Sequence, residues 1–195
     1  MNSYSISVCM ATYNGEKFVH KQIYSILKQL NADDELIIVD DASSDSTREI
    51  ITNFKDCRIK LYINKENIGF VHSFESAIKK ASNAIIILSD QDDLWMDGKV
   101  EITRNVFGDE ENYLFIHNAE VVNASGITIK DKWFTKGLGH NLLTRNFINN
   151  HCMGCMMAFR NNIPKLFYPI PNCVESHDQW IGLVAEINNK KIIYM

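Results

Sequence analysis

The chain has 195 residues, 46% of them hydrophobic and 23% charged, with a net charge of −4. That length suits one medium domain with its own core, and the composition is ordinary for a globular chain. The negative balance argues against a nucleic-acid partner, and no apolar run approaches the ~20 residues of a membrane-spanning helix.

Residues 6–11 read as a short apolar strand at the N-terminus, and Asn14-Gly15 turns the chain after it. Phe18, Val19, Gln22, Ile23, Ile26, Leu27 and Leu30 then recur at helical spacing, with Lys17, Lys21 and Lys28 on the other face. Residues 35–39 form a second buried strand that ends in Asp40-Asp41. Small polar residues at 42–47 make a turn with candidate caps, and Ile50, Ile51 and Phe54 mark a short helix. Residues 58–63 alternate as a third strand, and 64–69 form a polar loop. Val71, Phe74, Ala77, Ile78 and Ala81 predict a third helix, and 84–89 a fourth strand. Strands alternating with helices predict a mostly parallel α/β sheet, Rossmann-like, with helices on both faces.

After Trp95 the pattern changes to a mixed C-terminal part. Lys99, Val100, Ile102, Val106 and Phe107 suggest a helix, and 113–122 and 126–129 two strands around a hairpin-like turn. Residues 130–149 read as a mobile loop with a short helix near 142–147, and 153–159 as an apolar strand. Three prolines make the segment from Pro164 to Pro171 irregular. A helix at 178–187 and a strand beginning at 192 follow, and the ending suggests truncation. The whole reads as one domain in two halves, 1–95 and 96–195. The five cysteines are unevenly spaced, and no signal peptide precedes the first strand. Reduced thiols in a cytoplasmic protein are the simplest account. His151, Cys152 and Cys155 lack the second ligand pair that a structural zinc site wants.

The chemistry concentrates where the fourth strand ends. Asp90, Asp92 and Asp93 stand within four positions, immediately after an apolar run. Carboxylates this close repel one another, and a hard divalent cation carrying a phosphate relieves that. Asn14, Asp40, Asp41, Asp90 and Asp92 all fall at or beyond carboxyl ends of strands, where open α/β sheets bind ligands. Lys99 and Arg104 are candidates to balance the acidic cluster. Asp178 opens a predicted helix, whose N-terminus favours the anionic carboxylate; a simple helix cap is the alternative.

Four stretches, in order, resemble the family 2 glycosyltransferases, which carry the GT-A fold. They are Val8 to Asn14, Ile38 to Thr47, Ser89 to Trp95 with Lys99, and Ser176 to Trp180. The third is similar to the DXD form of rhamnosyltransferase-like members, and residues 154–159 resemble the strand before the fourth. The resemblance implies donor contacts from Ala11, Thr12, Tyr13, Asn14, Asp40, Asp41, Asn67, Asp90 and Gln91. It implies Asp92 as ligand of Mg²⁺ or Mn²⁺ and Asp178 as general base. Trp95, Gly154, His177 and Trp180 are implied as acceptor or supporting residues. Ala11 departs from members that carry a hydroxyl there. The implied activity is inverting transfer from a UDP- or dTDP-sugar, dTDP-rhamnose being the donor suggested, to a saccharide or lipid-linked saccharide of a bacterial surface polysaccharide. A C-terminal segment outside the chain leaves room for peripheral association with the inner face of the cell membrane.

Rival readings are a nicotinamide dinucleotide enzyme, a Mg²⁺-dependent phosphotransferase and a nucleotide-sugar-binding module without turnover. No G-x-G-x-x-G follows the first strand, which argues against the first. Ala11 to Asn14 occupy the place where the second would carry its Asp nucleophile.

Overall fold

The computed structural model describes residues 4–123, 125–134 and 152–195. Its centre is a seven-stranded sheet in the order β3-β2-β1-β4-β8-β5-β9. β1 (Ile6–Thr12), β2 (Glu35–Asp40), β3 (Ile59–Ile63) and β4 (Ile85–Ser89) are parallel. β8 (Met157–Arg160) runs antiparallel to both β4 and β5 (Asn112–Ile116), and β9 (Lys191–Tyr194) closes the edge parallel to β5.

The apolar runs of β1, β2 and β4 follow from burial on both faces. Val8, Met10, Leu36, Ile38, Ile85 and Ile87 face one layer, against α1 (Val19–Leu27), α2 (Thr47–Asn53) and α4 (Lys99–Val106). Cys9, Ile37, Val39, Ile86 and Leu88 face the other, against α3 (Phe70–Lys80), α5 (Pro164–Phe167) and α6 (His177–Ile187). Each fully buried aliphatic side chain contributes about 2 kcal/mol by leaving water. Register then decides where the polar ends fall. Thr12 lies beside Asp40, and Met10 beside Ser89, so the ends of β1, β2 and β4 open onto one crevice.

The C-terminal part departs from expectation in three places, and the first helix in a fourth. The strand expected over 113–122 stops at Ile116, because Asn118 pulls the chain out of the sheet. Its side chain bonds Phe134 twice, accepting from N at 3.0 Å and donating to O at 2.9 Å. Beyond it, β6 (Val121–Val122) and β7 (Thr128–Lys130) form a separate hairpin. The expected turn is there, with Asn123 Oδ1 accepting from Ser125 N and Ile127 N and Gly126 at φ 76°. The strand expected from residue 153 begins only at Met157, after a 3₁₀ turn at Gly154–Met156. Pro164 starts α5 rather than an irregular stretch, as proline tolerates a first helical position. The first helix ends at Leu27, three residues short of Leu30. The short helix expected near 142–147 lies outside the described residues. No helix among the described residues is long and apolar enough to cross a membrane.

Candidate functional site

A cavity of about 470 Å³ opens at the carboxyl ends of β1, β2 and β4, the edge anticipated for ligand binding. β1 supplies Ala11 and Thr12, and Tyr13 follows it; Asp41 follows β2, and Asn67 lies in the loop beyond β3. Asp90, Gln91 and Asp92 follow β4, and Gly154, His177 and Asp178 come from the other half of the sheet. Carboxylates from three separate segments, Asp41, Asp90–Asp92 and Asp178, thus line one crevice.

The side of the crevice at the ends of β1 and β2 is held by paired polar contacts. Tyr13 N donates to Gln91 Oε1 at 3.0 Å, and Gln91 Nε2 donates back to Tyr13 O at 3.2 Å. Gly15 permits this closeness: a Cβ there would lie 2.2 Å from Gln91 Oε1. Asp41 is buried and accepts from Asn64 Nδ2 at 2.8 Å, Ile68 N at 3.0 Å and Gly69 N at 2.9 Å. Its carboxylate therefore ties the 64–69 loop over the crevice. Asn67 Oδ1 accepts from Gly69 N at 3.1 Å within the same loop.

Four of the anticipated residues sit elsewhere. Asp40 is fully buried, accepting from Thr12 Oγ1 and Ser43 N at 3.0 Å each, with Arg48 Nε 3.7 Å away. It joins the ends of β1 and β2. Asn14, at φ 47°, donates from N to Ser43 Oγ and accepts from Ser44 N, so it braces the same turns. Trp95 is buried under α1, its N donating to Ser25 Oγ at 3.1 Å. Trp180 donates Nε1–H to Phe167 O at 3.1 Å and packs on the core.

Ligand atoms of Asp90, Asp93 and Cys155 lie within 4.8 Å of one another. Burial pushes the Asp90 carboxyl up to about 7, and Asp93, Asp92 and Asp178 add to this while Lys99 opposes it. Burial raises the Cys155 thiol too, with Asp93 and Asp90 contributing, so it stays protonated. Lys99 is the balancing cation: its Nζ donates to Cys155 O at 2.8 Å and sits 4.2 Å from the Trp95 ring centroid. Burial lowers it to about 8. Arg104 is not part of this group; it pairs with Asp34 at 2.5 Å and with Tyr4 O. Asp92 lines the cavity without joining the three converging ligand atoms.

Opposite stands Asp178, in the first turn of α6. Its Oδ2 accepts from Gly154 N at 2.7 Å, and Oδ1 from Gln179 N at 2.6 Å and from Ser176 Oγ. His177 is 4% exposed and stacks on Phe74 with ring centroids 4.1 Å apart. Burial draws its imidazole down to about 4, Asp178 opposing, so the ring is neutral near pH 7. Gly154 leaves room for it, since a Cβ there would lie 3.1 Å from Nε2.

Gly69 also lines the crevice, as do Phe70 and Phe74, which sequence reasoning missed as site residues. Helical spacing assigned Phe74 to the core, which it also enters. Cys155 was missed because 153–159 reads as continuous strand, and the 3₁₀ turn that presents it leaves no mark in the apolar pattern.

A model of family-2 glycosyl transferases, "Glycosyl transferase family 2", matches residues 7–167. The chain belongs to glycosyl transferase family 2. Within that family it is 29% identical over 191 residues to Escherichia coli WfgD, named as a UDP-Glc:alpha-D-GlcNAc-diphosphoundecaprenol beta-1,3-glucosyltransferase. That match covers 96% of this chain and 73% of the relative. It is 33% identical over 185 residues to Bacillus subtilis TuaG, named as a putative teichuronic acid biosynthesis glycosyltransferase, covering 93% of this chain and 72% of the relative. Among solved structures, Staphylococcus aureus TarS 1–349 in complex with UDP-GlcNAc superposes with a TM-score of 0.76 at 20% identity. That superposition covers 98% of this chain and 56% of that one. Pyrobaculum calidifontis PcManGT, a mannosyltransferase in complex with GDP-Man and Mn²⁺, gives 0.73 at 18% identity, covering 100% and 55%. The glycosyl transferase fold is thus GT-A, as the sequence predicted. The chain spans little more than half the length of these solved structures.

Proposed function

We propose that this family 2 glycosyl transferase moves a sugar from a nucleoside-diphosphate donor to a hydroxyl of a lipid-linked saccharide, with inversion at the anomeric carbon. The observation that carries this is that Asp178 shares one crevice with Asp90 and Asp92, bordered by Tyr13, Asp41 and Asn67. Tyr13 and the 64–69 loop border the nucleotide. Asp178 takes the proton of the acceptor hydroxyl as that oxygen bonds the anomeric carbon and the bond to the diphosphate breaks. A single base opposite the leaving group implies one in-line displacement, hence inversion.

Asp90, Asp92 and Asp93 offer the oxygen ligands that Mg²⁺ or Mn²⁺ takes. The Asp90 carboxyl is raised chiefly by burial and further by Asp93, Asp92 and Asp178, a clustering of carboxylates that Lys99 only partly opposes and that fits such an ion. Bound there, the ion supplies Lewis-acid stabilisation of the departing diphosphate. Cys155, a protonated thiol, is not needed as a ligand.

For the donor we propose a UDP-hexose. WfgD, similar over most of this chain, is named for UDP-Glc and an undecaprenol diphosphate acceptor. The rhamnosyl subtype suggested by the Asp-rich segment finds no support in the relatives above. A thermal-shift panel of UDP, dTDP and GDP, each with Mn²⁺ or with chelator, tests the reading. UDP with Mn²⁺ should raise the melting temperature most. Equal shifts with and without the ion would remove the metal, and a larger dTDP shift would restore the rhamnosyl donor. No shift with any nucleotide would end the proposal.

A further inference from the structure

The outer face of α1 carries a charge opposite to that of the chain. From Lys17 to Leu30 there are three lysines and His20 but no Asp or Glu, in a protein of net charge −4. Lys21, Tyr24 and Lys28 fall at spacings of three and four on one stripe of α1 and its C-cap, and Lys17 stands in the turn that leads into the helix. Exposed apolar side chains flank the stripe: Tyr24 at 64%, Leu94 at 64% and Met96 at 66%. The segment after Asp93 brings the last two there, anchored by Trp95 N on Ser25 Oγ. His20, Lys21, Tyr24, Ser25, Lys28 and Leu94 surround a shallow cavity of about 490 Å³.

Nearby acids leave most of this positive charge unbalanced. Asp97 pairs with Lys28 at 2.5 Å, and Glu16 is turned toward α2, accepting from Ser46 N at 3.1 Å. Lys17 and Lys21 have no ion-pair partner among the described residues. Isolated exposed apolar residues are commonplace, but apolar groups ringed by lysines on one stripe fit the interface of an anionic bilayer. Lysine stems lie along the apolar layer while their ammonium groups reach the phosphates.

We propose that this face seats the protein on an anionic phospholipid surface. The segment from Asp90 to Met96 then has one end in the cavity wall and the other at the lipid, so the crevice opens beside the membrane. A lipid-linked acceptor gives such seating a purpose, and to that extent the inference rests on the function proposed above. The contact itself needs neither donor nor acceptor.

Cosedimentation with phosphatidylcholine vesicles, with and without roughly 30% phosphatidylglycerol, tests it in the absence of nucleotide. Binding should require the anionic lipid and weaken with salt. Lys17→Glu with Lys21→Glu should lower partitioning by about thirtyfold or more, from roughly fivefold per lysine. Leu94→Ser with Met96→Ser should weaken binding even at high salt. Circular dichroism and the UDP-induced thermal shift should remain those of the parent in both variants, which separates failure here from failure of the proposed activity. Equal binding to neutral vesicles, no binding to anionic ones, or undiminished binding by both variants would overturn the inference. A concentration-dependent dimer abolished by the same substitutions would also overturn it, assigning the face to a second copy.

Discussion

The Asp178 carboxylate accepts the backbone N–H of Gly154 at 2.7 Å. One hydrogen bond thus links the first turn of α6 to the 3₁₀ turn ahead of β8, and it aims the proposed base. Because the donor is backbone, substitution at Gly154 acts through shape. A methyl group there would press on His177 Nε2 at 3.1 Å and approach Asp178 Cβ at 3.7 Å. Gly154→Ala should therefore lower kcat by roughly tenfold to a hundredfold through misplacement of the base. UDP affinity by calorimetry should stay within about twofold, because the nucleotide side of the crevice is untouched.

Asp178→Asn removes the proton acceptor while keeping an oxygen able to accept from Gly154. Transfer should fall by a factor of about 10³, between the contribution of a positioned base and near-complete loss. Nucleotide-induced thermal stabilisation should persist. Transfer within tenfold of the parent would remove Asp178 as the base.

Asp90 makes stability depend on pH. Its folded carboxyl, near 7, lies above the ordinary value of 3.8, chiefly through burial. The group costs nothing below the unfolded value. As pH rises, the unfolded chain ionises first, and stability is lost until the folded value is passed. Asp90→Asn should accordingly raise the melting temperature by roughly 5 °C at about pH 8 in chelator, and by almost nothing at about pH 4. Scans at several pH values check this; a gain independent of pH would locate its cause elsewhere. Mn²⁺ with UDP should stabilise the parent more than the variant.

Gly15 offers a test of the donor side. A Cβ at this position would overlap Gln91 Oε1, and the flexible Gln91 side chain must then leave its two bonds to Tyr13. Gly15→Ala should cost about 1 kcal/mol of stability and weaken UDP binding roughly tenfold. Denaturant titration and calorimetry measure the two effects. Gln91→Ala, which deletes the same bonds without the overlap, should reproduce the loss of affinity.

The N-terminal half was legible because its rules are local. β1, β2 and β4 are short apolar runs stopped by polar residues, and parallel pairing carries those stops to one edge. The distinction between Asp40 and Asp41 was not legible. The two are adjacent and chemically alike, and only register decides that Asp40 faces Thr12 and Ser43 while Asp41 reaches the 64–69 loop. Trp95 and Trp180 show the same limit, since an indole suits a sugar and a core equally well. Beyond residue 96 the side chains that end each element act at long range. Asn118 ends β5 through Phe134, and Asp178 holds the turn before β8 from a segment 24 positions away. Periodicity within a short window carries no trace of such partners.

β8 lies between β4 and β5, antiparallel to both. A protein cut after Trp95 would keep every nucleotide-side segment and yet present β4 as a bare border, its Ile85–Leu88 backbone open to any passing strand. Such a fragment should aggregate rather than work as a portable nucleotide module. Recombination within the family must then exchange both halves together, or supply a replacement for β8.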